Sequence, residues 1–422
     1  MTPESGPPPS APSVKEATGF PAPEQCVVLV GGLGTRLGAL TQGMPKPLTD
    51  VGGRPFLAHL FWRVRRFGFR RVLLLAGHRG EAVRDFAADP RGTEGLEVEV
   101  IVEPEPLGTG GALRNALDRL DERFLLLNGD SLFDFNWLDL QALACAHPES
   151  WAAMSLRLEA DASRFGVVER DGERVTALDE RGDAQGGAIN GGVYLLRRDV
   201  AAACAPHSSF ERDVLPRLAA EGRLVGRLQQ GFFLDIGVPE ALEAAQTLVP
   251  GSAPRGAVFF DRDGVLNVDH GYTHRWDEFE WIEGAVEAVK LANDANLFAF
   301  LVTNQSGVAR GYYAEAAIHE LHEAMQQALR AKGAHLDDIR YCPHHVEGVV
   351  PEYARACGWR KPEPGMILDL ARHWPVDMAH SFLIGDNQSD LKAAAAAGIP
   401  AALFEGGRLD QAVKAMIEMH AG

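Results

Sequence analysis

The stretch AVFFDRDGVLN, residues 257–267, runs from four apolar residues straight into two aspartates, Asp261 and Asp263, one residue apart. A short apolar run that ends in polar residues is typical of a buried parallel strand whose carboxyl end meets a ligand. The pattern returns in LFAFLVTNQSG (297–307) and in HSFLIGDNQSD (380–390). These runs predict a parallel α/β sheet with its functional residues at the strand ends.

A second series of such runs precedes this one along the chain. Its members are CVVLV (26–30), RVLLLAG (71–77), LEVEVIVE (96–103), RFLLLNGD (123–130) and GGVYLL (191–196). Because 422 residues exceed one comfortable core, two α/β domains are expected. We predict a disordered Pro-rich tail over residues 1–24, a first domain over 25–245, a linker over 246–256 and a second domain over 257–422.

The composition argues against several classes of function. The net charge of −17 disfavours nucleic-acid binding, which usually needs a basic face, but it allows phosphorylated small molecules as substrates. No apolar run is long enough to span a membrane, and the N-terminus shows no secretory signal. Five cysteines without an export signal predict reduced thiols in the cytoplasm. None of these features indicates or excludes an oligomer.

The first apolar run leads into a glycine-rich loop, LVGGLGTRLGALTQGMPKPL. Gly31, Gly32 and Gly34 let the backbone approach a ligand closely. Arg36 and Lys46 add positive charge for a polyphosphate. The loop is not a P-loop, because no GK[ST] closes it, and taken alone it suits a structural turn as well as a phosphate cradle.

Taken whole, G-G-x-G-T-R-L followed by K-P-L resembles the sugar-phosphate nucleotidyltransferases, and the resemblance covers residues 25–245. Further motifs follow in the same order: EPLGTGGAL, LNGDSLF, RFGVVE, INGGVYLL and FFLDIGVPEAL. The resemblance implies a mixed, Rossmann-like sheet of the GT-A type. It also implies an enzyme that makes an NDP-sugar from an NTP and a sugar 1-phosphate.

The same resemblance assigns roles to individual residues. Arg36 and Lys46 are the expected catalytic cations, and Asp130 and Asp235 would hold Mg²⁺ through their oxygens. The residues expected to bind the NTP and the sugar phosphate are Gly31, Gly32, Gly34, Thr35, Gly108, Thr109, Gly166, Glu180, Arg181, Asn190 and Gly191. Arg181 is a departure, since relatives usually carry lysine there, and the guanidinium fork differs from an ammonium point charge.

The second half carries DRDGVL, LVTNQSG, RKPEPG and LIGDNQSD in order, and resembles the haloacid-dehalogenase (HAD)-type phosphatases over residues 256–405. The resemblance implies a HAD-like Rossmannoid parallel sheet. It makes Asp261 the nucleophile that forms an aspartyl-phosphate, and Asp263 the group that protonates the leaving oxygen and later activates water. Thr303 and Lys361 complete the expected catalytic set.

Magnesium in this half is assigned by the resemblance to Asp261, Asp263 and Asp386, with Asp390 as a supporting carboxylate. A second Mg²⁺ site is thus expected, separate from the one in the first half.

The details of the second half narrow the phosphatase family. DRDGVLNVDHGYTHRWDEFEWIEGA, TNQSGVARGYY and CPHH resemble the D-glycero-D-manno-heptose 1,7-bisphosphate 7-phosphatases, and histidinol-phosphate phosphatases are the nearest alternative. A bisphosphate needs a cation for its second phosphate, and Arg310 and Arg360 are the candidates. Asn304 is expected to contact the same substrate.

The two halves constrain each other. A transferase that consumes a sugar 1-phosphate needs a phosphatase that removes the other phosphate and leaves the anomeric one in place. The first half resembles the heptose 1-phosphate guanylyltransferases, so together they would make a GDP-heptose for surface polysaccharide or glycoprotein assembly; GTP rests on resemblance only. The alternatives are a first half that senses an NTP or NDP-sugar without catalysis, and two halves that act on unrelated metabolites, such as another sugar 1-phosphate and histidinol phosphate.

A set of soft ligands lies near the end of the chain. Cys342, His344 and Cys357 match a zinc loop of the resembled phosphatases, but Trp359 replaces its last cysteine. His345 or water could supply the fourth ligand of a structural zinc ion. The three retained ligands favour zinc, and the alternative is a loop without metal that holds its shape by packing, since Trp359 brings a large apolar area.

Overall fold

The computed structural model describes residues 20–31, 44–77, 79–162, 166–178 and 186–420. Within these residues the first half of the chain forms a nine-stranded mixed sheet and two separate two-stranded sheets. Its strands are β1 (Gln25–Leu29), β2 (Asp50–Val51), β3 (Arg54–Pro55), β4 (Arg71–Ala76), β5 (Glu97–Val102), β6 (Arg123–Asn128), β7 (Ser131–Asp134), β8 (Ala152–Glu159), β9 (Val168–Asp171), β10 (Arg174–Leu178), β11 (Gly187–Arg197), β12 (Leu224–Leu228) and β13 (Phe232–Asp235). Strands β7 and β13 form one of the two-stranded sheets, a ribbon, and β2 and β3 form the other.

The large sheet has the strand order β5-β4-β1-β6-β11-β8-β12-β10-β9. Strands β5, β4, β1 and β6 run parallel to one another, and β11 is antiparallel to both of its neighbours. The predicted mixed sheet is therefore confirmed. Strands β1, β4 and β6 are mostly apolar because both faces are covered, and Val27, Val28 and Leu74 are all fully buried, whereas the edge strand β5 alternates glutamate with apolar residues.

The helices of this half are α1 (Phe56–Arg66), α2 (Gly80–Ala88), α3 (Gly108–Asn115), α4 (Asp139–Ala146), α5 (Arg198–Ala202), α6 (Leu215–Ala220) and α7 (Pro239–Gly251). Helix α1 buries its apolar residues in the core of the first half, and it also buries Arg63 and Arg66. Buried arginines on one helix indicate a contact with charges on another part of the chain.

In the second half the described residues form a five-stranded sheet in the order β16-β15-β14-β17-β18, and every neighbouring pair is parallel. The predicted parallel sheet is thus confirmed. Its strands are β14 (Ala257–Phe260), β15 (Phe298–Asn304), β16 (Asp338–Cys342), β17 (Phe382–Gly385) and β18 (Ala401–Leu403). Its helices are α8 (Ala285–Asp294), α9 (Glu315–Ala331), α10 (Gly365–His373), α11 (Gln388–Ala397) and α12 (Leu409–His420).

Among the helices of these described ranges, none combines the length and the apolarity that a membrane crossing requires.

The two halves meet through a network of buried ion pairs. Asp134, at the end of β7, is fully buried, and its Oδ2 accepts from Nε of Arg63 at 2.9 Å and from Nη2 of Arg255 at 2.9 Å. Asp337 of the second half accepts from Nε of Arg66 at 2.7 Å, and both side chains are fully buried. Buried charges persist only when they are paired, so these contacts fix one relative placement of the two halves.

The structure corrects two predicted boundaries. The linker prediction over 246–256 is wrong, since helix α7 continues to Gly251 and Arg255 is a buried member of the ion network. The predicted tail over 1–24 is also too long at its end. Within it, the backbone oxygen of Phe20 accepts from Gln141 at 2.7 Å, and that of Pro23 accepts from Arg330 of the second half at 2.7 Å.

Replacing Asp337 by Asn should destabilise the whole chain at pH 7, because Arg66 keeps its buried charge and loses its partner. Breaking a buried ion pair from one side costs about 3–5 kcal/mol, so D337N should lower the unfolding temperature in scanning calorimetry. Burial alone would raise the pKa of Asp337, but Arg66 and His335 outweigh it and lower the pKa to about 2. Since the unfolded pKa is about 3.9, this stabilisation is complete above that value and is lost as the pH falls towards 2.

The difference in stability between wild type and D337N should therefore narrow as the pH is lowered from about 4 towards 2. Glu323→Gln is the matched control, since Glu323 and Arg70 form an exposed pair across the same interface at 3.6 Å. This variant should hardly change the unfolding temperature. An equal effect of both substitutions would contradict the account.

Candidate active sites

The first candidate site is a cavity of about 620 Å³ at the carboxyl ends of β5, β4, β1 and β6. Consecutive parallel strands bring the residues that follow them to one edge of the sheet, which is where ligands bind in such folds. The described residues that line the cavity are Leu29, Val30, Gly31, Lys46, Pro47, Leu75, Gly77, Glu103, Pro104, Glu105, Pro106, Gly108, Thr109, Ala112, Asn128, Asp130 and Glu211.

One end of the cavity is bounded by Glu103, which directly follows β5. A Cβ atom on Gly77 would lie 2.9 Å from the backbone oxygen of Gly31, and one on Gly31 would lie 2.9 Å from Oε1 of Glu103, so the two glycines let these segments pack closely beside Glu103. Oε2 of Glu103 accepts from the backbone N–H of Leu107 at 2.7 Å. Burial raises the pKa of Glu103, and the Leu107 hydrogen bond opposes this. The backbone around Gly31 and Gly77 thus leaves room for the half-buried Glu103 carboxylate, which lines the cavity.

The loop that opens α3 lies against the segment after α5. Gly108 has a φ of +74°, and a Cβ atom there would lie 2.5 Å from the backbone oxygen of Ser208. The Thr109 hydroxyl donates to Glu211 at 2.8 Å and accepts from the backbone N–H of Phe210 at 2.8 Å. Gly108 and Thr109, both predicted to bind the nucleotide or the sugar phosphate, line the cavity. The Thr109 hydroxyl is, however, already hydrogen-bonded to Glu211 and Phe210.

The other end of the cavity carries Lys46 and Asp130, and Asp235 lies on the strand that pairs with β7. Lys46 Nζ donates to Oδ2 of Asp130 at 3.0 Å, and the Asp130 side chain is 39 % exposed. Strands β7 and β13 pair so that Ser131 lies opposite Asp235, and the Ile236 N–H donates to the backbone oxygen of Asp130 at 3.0 Å. Asp130, just before β7, and Asp235, at the end of β13, therefore have adjacent backbone positions at one end of the ribbon. Oxygen donors in this arrangement fit Mg²⁺.

The other residues of the first half that were predicted to bind the NTP or the sugar phosphate either lie away from this cavity or lie outside the described residues. Asn190 donates to the hydroxyl of Tyr194 at 2.5 Å, and its Oδ1 accepts from the Gly192 N–H at 3.0 Å, which shapes the bend of β11. A Cβ atom on Gly191 would lie 2.5 Å from the Ser155 hydroxyl. Gly166 is half-buried beside β9, and none of Gly166, Asn190 and Gly191 lines the cavity described above. Gly32, Gly34, Thr35, Arg36, Glu180 and Arg181 lie outside the described residues.

The second candidate site is built around Lys361 at the carboxyl edge of the parallel sheet. Its Nζ lies 2.7 Å from Oδ1 of Asp261 and 2.6 Å from Oδ1 of Asp390, and it donates to the backbone oxygen of Val302 at 2.9 Å. Asn304 holds the Lys361 backbone from both sides, with hydrogen bonds of 3.0 and 3.1 Å. Asn304, predicted to touch substrate, therefore also positions the lysine.

Three carboxylates converge beside this lysine. Ligand oxygens of Asp261, Asp386 and Asp390 all lie within 4.8 Å of one another. Burial raises the pKa of Asp261 to about 7 against the opposing Lys361 charge, and the Asp390 charge adds to the rise. Burial and Asp390 likewise raise the pKa of Asp386. One ammonium does not balance this negative charge, so the group fits a divalent cation with oxygen ligands.

The Asp263 carboxylate lies outside that group. Nη2 of Arg262 donates to both of its oxygens at 2.9 Å, Asn267 donates to Oδ1 at 3.1 Å, and Gln305 donates to Oδ2 at 3.0 Å. Gln305 also donates to the buried Thr303 hydroxyl at 2.8 Å. Of the three predicted carboxylate ligands, Asp261 and Asp386 are in the group, and the Asp263 carboxylate is instead held by side-chain donors.

Two arginines lie at the rim of the second site. Nη1 of Arg360 donates to the backbone oxygen of His344 at 3.2 Å, and burial lowers the Arg360 pKa, with the charge of Arg310 adding to the effect. Arg310 has a buried Nε without a hydrogen-bond partner, and its Nη2 lies 3.6 Å from exposed Glu347. Two guanidinium groups that repel each other and are incompletely paired fit an anion.

The predicted zinc ligands are brought together. The donor atoms of Cys342, His344 and Cys357 lie within 4.8 Å of one another, and Sγ of Cys342 lies 3.8 Å from Nδ1 of His344. His345 is not in the group, and its Nδ1 accepts from the Glu347 N–H at 3.1 Å. Two thiols and an imidazole fit zinc, and the described residues of the group supply three ligands.

Each half of the chain is similar to a known family of proteins. The nucleotidyl transferase family matches residues 25–250, and the HAD-hydrolase-like family matches residues 358–419. The D-glycero-beta-D-manno-heptose-1,7-bisphosphate 7-phosphatase of Rhodopseudomonas palustris is 51% identical over 170 residues, which are 40% of this chain and 94% of that protein. The chain belongs to the nucleotidyl transferases and, in its second half, to the family of these phosphatases.

Two further proteins are each similar to one half of the chain. The phosphatase of the same name from Escherichia coli K12 is 45% identical over 143 residues, which are 34% of this chain and 75% of that protein. A solved structure of HddC from Yersinia pseudotuberculosis, in complex with GMP-PN, is 30% identical and covers 53% of this chain and 99% of its own, with a TM-score of 0.48. The protein is therefore an enzyme with a nucleotidyltransferase half and a HAD-type phosphatase half.

Several residues of the two sites were missed by the sequence analysis. Glu103 ends the run LEVEVIVE, so its place after a buried strand was a usable signal. Arg262 lies between the two aspartates of DRDG, and Gln305 lies in TNQSG, but a motif does not say which side chains pair. Asn128 of the transferase half has a buried Oδ1 without a hydrogen-bond partner beside the cavity, and no pattern in the sequence indicates it.

Proposed function

We propose that the protein performs two successive steps in the synthesis of a nucleotide-activated heptose. The phosphatase half removes the C7 phosphate of D-glycero-D-manno-heptose 1,7-bisphosphate, and the transferase half joins the resulting heptose 1-phosphate to a nucleotide from GTP. The observation that carries this proposal is the 51% identity of the second half to a heptose bisphosphate 7-phosphatase, on a chain whose first half is a nucleotidyl transferase.

In the phosphatase half, Asp261 is the proposed nucleophile. Its carboxylate attacks phosphorus, the bond from phosphorus to the C7 oxygen breaks, and Asp263 gives that oxygen a proton. Water, activated by Asp263, then releases inorganic phosphate and restores Asp261. Thr303 and Lys361 contact the transferred phosphate, and Mg²⁺ held by Asp261, Asp386 and Asp390 would neutralise its charge.

The other phosphate of the substrate determines which end enters the site. Arg310 and Arg360 are incompletely paired at the rim, where they can hold the anomeric phosphate while C7 points to Asp261. Recognition of this kind leaves the phosphate at C1 intact. The product is then the compound that a sugar 1-phosphate nucleotidyltransferase requires.

In the transferase half, a phosphate oxygen of the sugar 1-phosphate attacks the α-phosphorus of the NTP, and pyrophosphate leaves. Lys46 lies where it can neutralise charge on the triphosphate, and Mg²⁺ held by Asp130 and Asp235 would stabilise the same charge. The protein itself supplies placement rather than covalent chemistry.

The span of the cavity and the carboxylate of Glu103 at one end of it support guanine as the base of the nucleotide. Glu103 and Asp130 follow strands that are three positions apart in the sheet, which corresponds to about 14 Å, the scale of an NTP from base to phosphates. With the phosphates at Lys46, the base lies beside Glu103. A carboxylate only accepts hydrogen bonds, and guanine offers two adjacent donors, N1–H and N2–H, that a carboxylate can accept together. Uracil and thymine offer one donor there.

The proposal predicts the products of one incubation of the purified protein with heptose 1,7-bisphosphate, Mg²⁺ and each NTP in turn. We expect GDP-heptose, one inorganic phosphate and one pyrophosphate with GTP, measured by mass spectrometry and phosphate analysis. Phosphate release without any NDP-sugar would reject the transferase assignment and favour a sensing first half. Transfer to another sugar 1-phosphate in preference to heptose 1-phosphate would reject the link between the halves.

Replacing Glu103 by Gln should weaken the selection of GTP, because the amide offers one acceptor and one donor to the base. A paired contact of this kind contributes about 1–3 kcal/mol of discrimination, so the ratio of kcat/KM for GTP over UTP should fall about tenfold. Glu105→Gln is the matched control, since Glu105 lines the same cavity, is largely exposed, and should leave the ratio unchanged. An unchanged ratio in E103Q would rule out this role for Glu103.

Zinc in the loop of Cys342, His344 and Cys357 is proposed as structural, since the aspartate chemistry needs oxygen-bound Mg²⁺. We expect about one zinc ion per chain by elemental analysis of protein purified without added metal. Cys357→Ser should remove most of it, and Cys145→Ser, far from the group, should not. Zinc-free wild-type protein with full phosphatase activity would contradict the proposal and leave packing by Trp359 as the explanation of the loop.

A further inference from the structure

The ribbon of β7 and β13 joins the metal carboxylates to the interface between the two halves. Asp130 immediately precedes β7, and Asp235 ends β13. The register pairs Ser131 with Asp235 at one end of the ribbon and Asp134 with Phe232 at the other. Asp134 is thus separated from the metal end by the length of one short strand. A two-stranded ribbon is marginally stable by itself, so its position depends on what holds its ends.

The far end of the ribbon is held by an arginine of the phosphatase half. Nη2 of Arg255 donates to Oδ2 of Asp134 at 2.9 Å, and Nη1 donates to Oδ1 at 3.3 Å, so the guanidinium contacts both carboxylate oxygens. Arg63 of the transferase half completes the pairing from the other side at 2.9 Å. The Asp134 side chain has no exposed surface, so water does not compete for these contacts.

Arg255 is itself fixed within the phosphatase half. Its backbone N–H donates to the oxygen of Pro375 at 3.2 Å, and its backbone oxygen accepts from Asp377 at 2.8 Å. Its Nη1 also donates to Oδ1 of Asn296. Two residues further along, β14 begins and leads to the nucleophile Asp261. The arginine that holds the ribbon therefore lies two residues before the strand that leads to the phosphatase nucleophile.

We propose that Arg255 is a positioning residue for the metal site of the transferase half. By holding Asp134, it sets the ribbon so that Asp130 and Asp235 present their oxygens to one Mg²⁺. The phosphatase half thereby completes the transferase site without touching its substrates. This inference rests on the proposed metal role of Asp130 and Asp235.

The test separates metal binding from stability and from phosphatase activity. Arg255→Gln should raise the Mg²⁺ concentration for half-maximal nucleotidyl transfer about tenfold, the usual effect of losing a group that orients metal ligands. The Mg²⁺ dependence of phosphate release, measured on the same sample, should stay within about twofold. Arg255→Lys, which keeps one charged contact, should show the same change to a smaller degree and guards against a variant that does not fold.

A second substitution and a direct binding measurement complete the design. Asp134→Asn should reproduce the effect, and the double variant should be no worse than either single one, because both break the same contact. Arg70→Gln, an exposed arginine of the same interface, should have no effect. Mn²⁺ binding can be followed by electron paramagnetic resonance in an Asp386→Asn background. In that background R255Q should weaken Mn²⁺ binding by the same factor of about ten, and this measurement does not depend on catalysis.

Unchanged metal dependence and Mn²⁺ affinity in R255Q and R255K, with a lower unfolding temperature, would overturn the inference and leave Arg255 a structural residue. That result differs from failure of the proposed function. If wild-type protein binds no Mn²⁺ outside the phosphatase site and transfers no nucleotide, then both the metal role of Asp130 and Asp235 and this inference are rejected.

Discussion

A carboxylate without exposed surface must be paired, and Asp134 meets this requirement only with arginines drawn from both halves of the chain. The pKa of Asp134 is lowered because Arg63 and Arg255 outweigh the effect of burial, which alone would raise it. A separation of the two halves would leave this charge and those of its partners unbalanced. The relative placement of the two sheets follows from that pairing, together with Arg66 and Asp337.

Both active sites use the same property of parallel sheets. In each half the residues that follow consecutive parallel strands meet at one edge, and carboxylates collect there: Asp130 after β6, and Asp261 after β14. In each site one lysine contacts a carboxylate, Lys46 at 3.0 Å and Lys361 at 2.7 Å. The remaining negative charge suits Mg²⁺ and a phosphate together. An acidic protein can therefore bind phosphorylated substrates without a basic surface.

Much of this could be predicted from the sequence, since apolar runs buried on both faces mark parallel strands and the next residues mark the site. Asp261 and Asp386 could be predicted because they end such runs, and Lys361 could be predicted from its motif, RKPEPG. The interface could not be predicted in this way, because Arg63, Arg66 and Arg255 look like surface residues until their partners are known. The segment 246–256 has the composition of a linker, yet helix α7 continues into it and Arg255 is held by a carboxylate 121 residues earlier. The hydrogen bonds of Asp263 could not be predicted either, since its motif does not say that Arg262 and Gln305 hold the carboxylate.

The central claim is that the phosphatase half leaves the phosphate that the transferase half needs. Phosphorus NMR on heptose 1,7-bisphosphate, with the enzyme and Mg²⁺ but without any NTP, tests this most directly. We expect loss of the C7 phosphate signal, growth of inorganic phosphate, and a lasting signal from the phosphate at C1. Loss of the C1 phosphate first, with heptose 7-phosphate as the product, would contradict the claim.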